Sequence, residues 1–86
     1  RSVWVNRQEF VREVSKRKGL SKMRAYRSVN AVMDTIRMAL LNGDEVEIGG
    51  FGTFAVVTDL KGERIPVFKA GRALKNIINI SESEEK

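Results

Sequence analysis

The sequence contains no cysteine and no histidine, and a single proline. Each absence closes a route. Without cysteine there is no disulfide to staple a small fold, and thiol chemistry and thiolate metal sites are excluded. The same absence fits a reducing compartment. Without histidine the commonest general base is missing, and any metal would need an all-oxygen site. No calcium-loop spacing of carboxylates appears. No apolar run approaches the roughly 20 residues of a membrane span, and Val3-Trp4-Val5 is too short for the core of a signal peptide. No serine sits in a recognisable nucleophile motif, and the carboxylates are scattered rather than paired in apolar surroundings. The reading is therefore not an enzyme, with no cofactor, no metal, no small-molecule substrate and no membrane partner.

What is present is positive charge. Sixteen Lys and Arg face eleven Asp and Glu, for a net charge of +5. Three of the acids, Glu82, Glu84 and Glu85, lie in the last six residues, so residues 1–80 carry +7, fifteen basic side chains against eight acidic. Such a charge density on one small domain points to a polyanionic partner. At 86 residues, folding buries only about 60–65% of the unfolded surface. With disulfides and metals gone, self-association is the remaining supplement to a small core.

Along the chain the hydrophobic period changes once. Asn6-Arg7-Gln8-Glu9 has the form of a capping box, with Val5 and Phe10 placed to staple the helix entry. Phe10, Val11 and Val14 follow helical spacing, and Gly19 closes the helix behind Lys16, Arg17 and Lys18, so helix one is expected over 7–18. Ser21 is a good N-cap for a longer second helix. Val29, Val32, Met33, Ile36 and Leu40 form its apolar stripe, which Ala25 extends backward. Asn42-Gly43-Asp44 ends it. Tyr26, Met38 and Leu41 lie off the stripe, and so broad an apolar surface suggests packing on two sides.

From Glu45 the period becomes two. Val46 and Ile48 alternate with glutamates, Gly49-Gly50 turns the chain, and a second strand is expected from Phe51 to Val57. Residues 59–63 read as a hairpin connection and 64–69 as a third strand, with Pro66 at an edge or bulge. A short helix is expected over 71–78, followed at 81–86 by a disordered acidic tail. The order α-α-β-β-β-α makes residues 1–80 a single α+β domain.

Two segments are specific enough to resemble a known family. Gly50-Phe51-Gly52-Thr53-Phe54 matches the G-F-G-x-F element of the bacterial histone-like HU/IHF proteins. Pro66-Val67-Phe68-Lys69-Ala70-Gly71-Arg72-Ala73-Leu74-Lys75 matches their P-x-F-K-x-G-K-x-L-K element, with Ala70 in place of a common proline. Asn6, Gly19-Leu20-Ser21-Lys22 and Gly43-Asp44 fall in the family's order, so the resemblance covers about residues 5–78. It implies an intertwined dimer, homodimeric or heterodimeric, with a helical base and a three-stranded saddle, acting on DNA in the cytoplasmic bacterial nucleoid. Val32, Ile36, Leu40, Phe51, Phe54 and Phe68 would form core or dimer core. Three phenylalanines are more aromatic surface than a three-stranded sheet covers unaided.

The resemblance also assigns phosphate contacts to Arg7, Lys22, Lys69, Arg72 and Lys75. Phosphate contacts position a protein without reading sequence. Largely sequence-independent binding to double-stranded DNA is therefore expected, weakening steeply with salt. Lys22 belongs to a wider basic run with Lys16, Arg17, Lys18, Arg24 and Arg27, six cations in twelve residues. Its plain alternative is a helix C-terminus decorated with cations. Gly50 and Gly52 serve backbone geometry rather than a phosphate loop, since no Lys-Ser/Thr and no helix follow them.

One departure stands against these matches. In the family, strands two and three extend into a long basic ribbon whose tip proline wedges between base pairs. Here residues 55–67, thirteen in number, separate Phe54 from Phe68, and the tip carries Asp59 and Glu63 but no proline. Weak bending, or none, through wedged prolines is expected. An alternative follows from the short hairpin and acidic tail: a protein-interaction subunit that pairs with or regulates a full-length relative and binds DNA poorly.

Overall fold

The structure is a computed structural model that describes residues 6–84, and side chains for residues 6–80. Three helices and a three-stranded antiparallel sheet follow one another as α1 (Arg7–Lys18), α2 (Lys22–Leu41), β1 (Val46–Ile48), β2 (Gly52–Thr58), β3 (Arg64–Ala70) and α3 (Arg72–Glu84). Contacts divide the chain into two units, residues 1–35 and 36–86. Among the described residues no helix is long and apolar enough to cross a membrane.

In the first unit, local chemistry sets the helix ends. The Glu9 amide donates to Asn6 Oδ1 at 2.9 Å and the Asn6 amide to Glu9 Oε1 at 3.3 Å, the reciprocal pair of a capping box. Gly19 takes φ +63, so its N–H turns back to Ser15 O and α1 stops there. The Ser15 hydroxyl donates to Leu20 O at 2.7 Å, and Ser21 Oγ accepts the Arg24 amide at 3.1 Å to start α2. Val11, Ala25 and Val29 are buried between the helices, with Val14 and Met33 packed against them. Phe10 is 46% exposed, so α1 turns Val11 rather than Phe10 inward. The staple expected between Val5 and Phe10 lies outside the described residues.

In the second unit α2 ends on a Schellman motif. The Gly43 amide, at φ +85, donates to Leu40 O at 3.0 Å and the Asp44 amide to Ala39 O at 2.9 Å. The sheet order is β1-β2-β3. Val46 lies opposite Phe54, and Phe54 opposite Phe68. Pro66 pairs with Val56 on β3, an edge strand, where a missing N–H costs nothing in the ladder.

Three details differ from the sequence reading. Phe51 belongs to the β1–β2 turn, not to β2: its amide donates to Ile48 O at 3.0 Å, and Gly50 takes φ +82, the geometry for which a type II turn requires glycine. The last helix is longer than the expected 71–78, because its backbone continues as helix through Glu84. Residues 85–86, the end of the expected acidic tail, lie outside the described residues. Finally, Val32 lies on the same helical side as Ala25 and Val29 yet is 56% exposed in the single chain, while Ile36 and Leu40 are half-buried.

Candidate nucleic-acid interface

Lys69, Arg72 and Lys75 come together where β3 runs into α3. Lys69 stands opposite Thr53. The Gly71 amide then donates to Phe51 O at 2.8 Å, and Gly71 O accepts the Lys75 amide at 3.1 Å. This fastens the start of α3 to the β1–β2 turn. Arg72 and Lys75, three residues apart, share one face of the first turn of α3. All three cations are exposed, and none has a carboxylate partner among the described residues. A shallow recess of about 300 Å³ opens beside them, lined by Glu47, Gly50, Thr53 and Arg72.

Arg7 and Lys22 lie in the first unit, at the N-termini of α1 and α2, and are exposed. Arg7 Nη1 donates to Asn30 Oδ1 at 3.2 Å, which fixes the guanidinium against α2 without neutralising it. Of the five expected cations, two thus belong to the first unit and three to the second. Arg17 is different: its Nε sits 3.2 Å from Glu13 Oε1 in an i, i+4 pair.

The placement of these cations runs against helix electrostatics. A helix N-terminus carries partial positive charge and favours acids. α1 obeys, with Glu9 in its first turn and Lys16, Arg17 and Lys18 in its last. α2 and α3 have no acid in their first turns, and open instead on Lys22 and Arg24, and on Arg72 and Lys75. Such cations cost the helix a few tenths of a kcal/mol to about 1 kcal/mol. They also concentrate positive potential beside free backbone N–H groups, the arrangement that receives phosphate.

Phe51, Phe54 and Phe68 cluster on the sheet, with ring centroids 6.4, 5.2 and 4.8 Å apart. Phe51 and Phe68 nevertheless stay 44% and 42% exposed. Gly52 is the tight point beneath them. A Cβ there would lie 2.5 Å from Lys69 O and 2.5 Å from the Phe68 ring.

Sequence reasoning missed Arg64. Its Nη2 donates to Leu40 O at 3.0 Å and to Leu41 O at 3.3 Å, tying the hairpin to the C-terminus of α2. No local pattern signals a contact across 24 residues. At the hairpin tip Asp59 Oδ1 accepts the Lys61 and Glu63 amides, each at 2.9 Å. Leu60 stands fully out of the turn.

The profile of the family described as "Bacterial DNA-binding protein" matches residues 5–79. The chain belongs to that family. It is 34% identical over 89 residues to the DNA-binding protein HU of Geobacillus stearothermophilus, covering 86% of this chain and 99% of the relative. The SPbeta prophage-derived DNA-binding protein HU 2 of Bacillus subtilis is likewise 34% identical, over 86% of this chain and 97% of its own. Among solved structures, HU from Thermotoga maritima superposes with a TM-score of 0.74 at 35% identity, covering 86% of this chain and 98% of that one. HU from the Anabaena HU–DNA cocrystal structure gives 0.72 at 27% identity, covering 86% and 97%. The HU/IHF resemblance and the HU fold expected from the sequence are thus established, and the family is one of DNA-binding proteins rather than enzymes.

Proposed function

We propose that the protein is a dimeric, largely sequence-independent DNA-binding protein. Arg7, Lys22, Lys69, Arg72 and Lys75 contact phosphates, and its short arm bends the duplex little. The observation that carries the reading is the exposed trio Lys69, Arg72 and Lys75 at the junction of β3 and α3, without a carboxylate partner among the described residues. At the start of α3 that charge opposes helix stability and serves an anion. Family membership and the HU–DNA cocrystal relative support the same partner. In a bacterial cell the protein would sit on the nucleoid in the cytoplasm.

Dimerisation is supported by the apolar surface left over. Only Val11, Ala25, Val29 and Ala55 are buried hydrophobics among the described residues, while Val32, Phe51, Phe68, Ile77 and Ile78 are exposed. At about 25 cal/mol per Å², burying a Phe side chain against a second copy contributes roughly 1.5–3 kcal/mol. The partner copy is the natural cover, whether identical or a relative.

The short arm is supported in two ways. β2 and β3 have seven residues each, and the Asp59 amide already bonds to Glu63 O at 3.0 Å across the tip. The HU relative from Geobacillus also aligns over 89 residues while using only 86% of this chain, so part of it has no counterpart here. Residues 57–64 are charge-balanced, Lys61 and Arg64 against Asp59 and Glu63, and lack proline, so no proline wedge is available.

The rival reading, a protein-interaction subunit with poor DNA affinity, draws on Leu60, which lies wholly in solvent at the hairpin tip between Asp59 and Lys61. Binding of the protein to a short duplex over a salt series separates the two. The DNA reading expects log affinity to fall linearly with log salt and to weaken when Arg72 and Lys75 become Ala. Negligible binding even near about 50 mM salt, where phosphate contacts are strongest, would move the function to the protein partner.

A further inference from the structure

The short hairpin ends in an apolar side chain that its own chain leaves uncovered. Asp59, Leu60, Lys61 and Gly62 form a tight turn, in which the Gly62 amide donates to Asp59 O at 3.0 Å and Gly62 takes φ +87. Asp59 Oδ1 also accepts the Lys61 and Glu63 amides. The tip is thus firmly held, and it presents Leu60 wholly to solvent. A side chain on a preorganised turn loses little freedom when it docks. Two acids, Asp59 and Glu63, against Lys61 leave the tip negative. Both acids are exposed, and neither has a cationic partner among the described residues.

A surface of matching shape and opposite charge lies in the first unit. A recess of about 440 Å³ is lined by Asn6, Arg7, Phe10 and Met33. Phe10 is exposed there, and Met33 is half-buried. Arg7 and Phe10, three residues apart, are neighbours on the surface of α1. The Arg7 guanidinium donates to Asn30 Oδ1 and has no carboxylate partner among the described residues. An apolar hollow beside an unneutralised guanidinium therefore faces the same problem as an apolar knob between acids. Because Leu60 is fully exposed in the single chain, the recess of its own chain is not its seat.

We infer that the hairpin tip of one copy docks in this recess on a copy from another dimer, with Leu60 against Phe10 and Met33, and Asp59 and Glu63 facing Arg7. Knob and hollow are different surfaces, so the contact is head-to-tail and joins dimers into larger assemblies. One leucine rimmed by charge makes a small, transient interface, formed at high protein concentration. Arg7 is also among the phosphate contacts proposed above. On that DNA-binding reading, docking and duplex compete for the same guanidinium, and DNA dissolves the assembly.

The test is sedimentation of the full chain in a concentration series at low salt, without DNA. Wild-type protein gives species larger than the dimer. Leu60→Ser raises the concentration for half-assembly by about tenfold or more, the effect of uncovering one buried leucine. Phe10→Ser does the same from the other side, with circular dichroism checking its fold. Mixing the two variants restores the larger species, since one supplies recesses and the other supplies tips. Saturating short duplex returns the wild type to single dimers. A wild type that stays dimeric at every concentration would overturn the contact. So would a mixture that fails to assemble, variants that loosen the dimer itself, or an assembly that survives saturating duplex. A protein that binds no duplex at any salt would overturn the DNA reading alone, and the mixing result would still decide the contact.

Discussion

Gly52 has no room for a methyl group. A Cβ would meet Lys69 O, which is backbone and cannot swing away, as well as the Phe68 ring. Gly52→Ala is expected to destabilise the protein by about 1–3 kcal/mol through overpacking, read as a lowered midpoint in thermal unfolding. Trimming the ring with Phe68→Leu should recover only part of that loss, because the carbonyl clash remains. Full recovery would show that the ring alone sets the constraint. At Arg64 the expectation is smaller. Arg64→Ala removes the bonds to Leu40 O and Leu41 O on an exposed helix end, a loss of about 1 kcal/mol. Hydrogen exchange should then quicken in the hairpin and at the last turn of α2, and leave α1 unchanged. The sequence announced the glycines as backbone devices, but not which neighbour fills the space over Gly52. That follows from the Phe54–Phe68 register, a property of pairing across strands. Arg64 was illegible for the same reason, since it acts across 24 residues.

Among the elements, α1 was the most readable. Its capping box, its terminal glycine and its closing cations are all local signals, and its bounds follow from them. The apolar stripe of α2 was readable as a helix but not as a buried face: periodicity orders Val29, Val32 and Met33 together, yet Val32 stays in solvent while Val29 does not. A pattern tells which residues share a side, and the neighbouring element decides how much of that side is covered. α3 was read too short because serines and glutamates after Ile80 suggested an end. No glycine or proline stands there to stop the helix.

α3 also supplies the sharpest element-level prediction. Because Arg72 and Lys75 occupy the positive end of the helix dipole, replacing both with Ala should leave stability unchanged or raise it by a few tenths of a kcal/mol. DNA affinity should fall in the same variant, and its salt slope should become shallower by about 0.9 for each phosphate left without its cation. Thermal unfolding and a salt titration of the one protein read both signs. A loss of stability together with affinity would instead make the two residues structural.

On the scale of the whole molecule, the balance between burial and exposure points beyond a single chain. A hydrophobic content of 42% yields few buried hydrophobics among the described residues, and the phenylalanine cluster is half open. If a second copy covers that surface, Phe51→Ala and Phe68→Ala should raise the dimer dissociation constant. Each truncation is expected to cost about 3–5 kcal/mol if the ring is fully buried in the dimer, measured as concentration-dependent sedimentation. An unchanged constant would place both rings outside the interface. The short arm has its own consequence at this scale. End-to-end energy transfer across a bound duplex should change little on binding, whereas a large approach of the ends would mean that something other than a proline bends the DNA.

Exposed cations that grip phosphates without reading sequence are tested most directly by a salt series with one short duplex, with sedimentation of the same samples fixing the number of subunits. The expected result is a dimer whose log affinity falls linearly with log salt. Duplexes of unrelated sequence should bind with the same affinity, and the Arg72→Ala, Lys75→Ala variant should bind more weakly. A dimer with no measurable affinity at low salt, or an affinity insensitive to salt, would contradict this mode of binding.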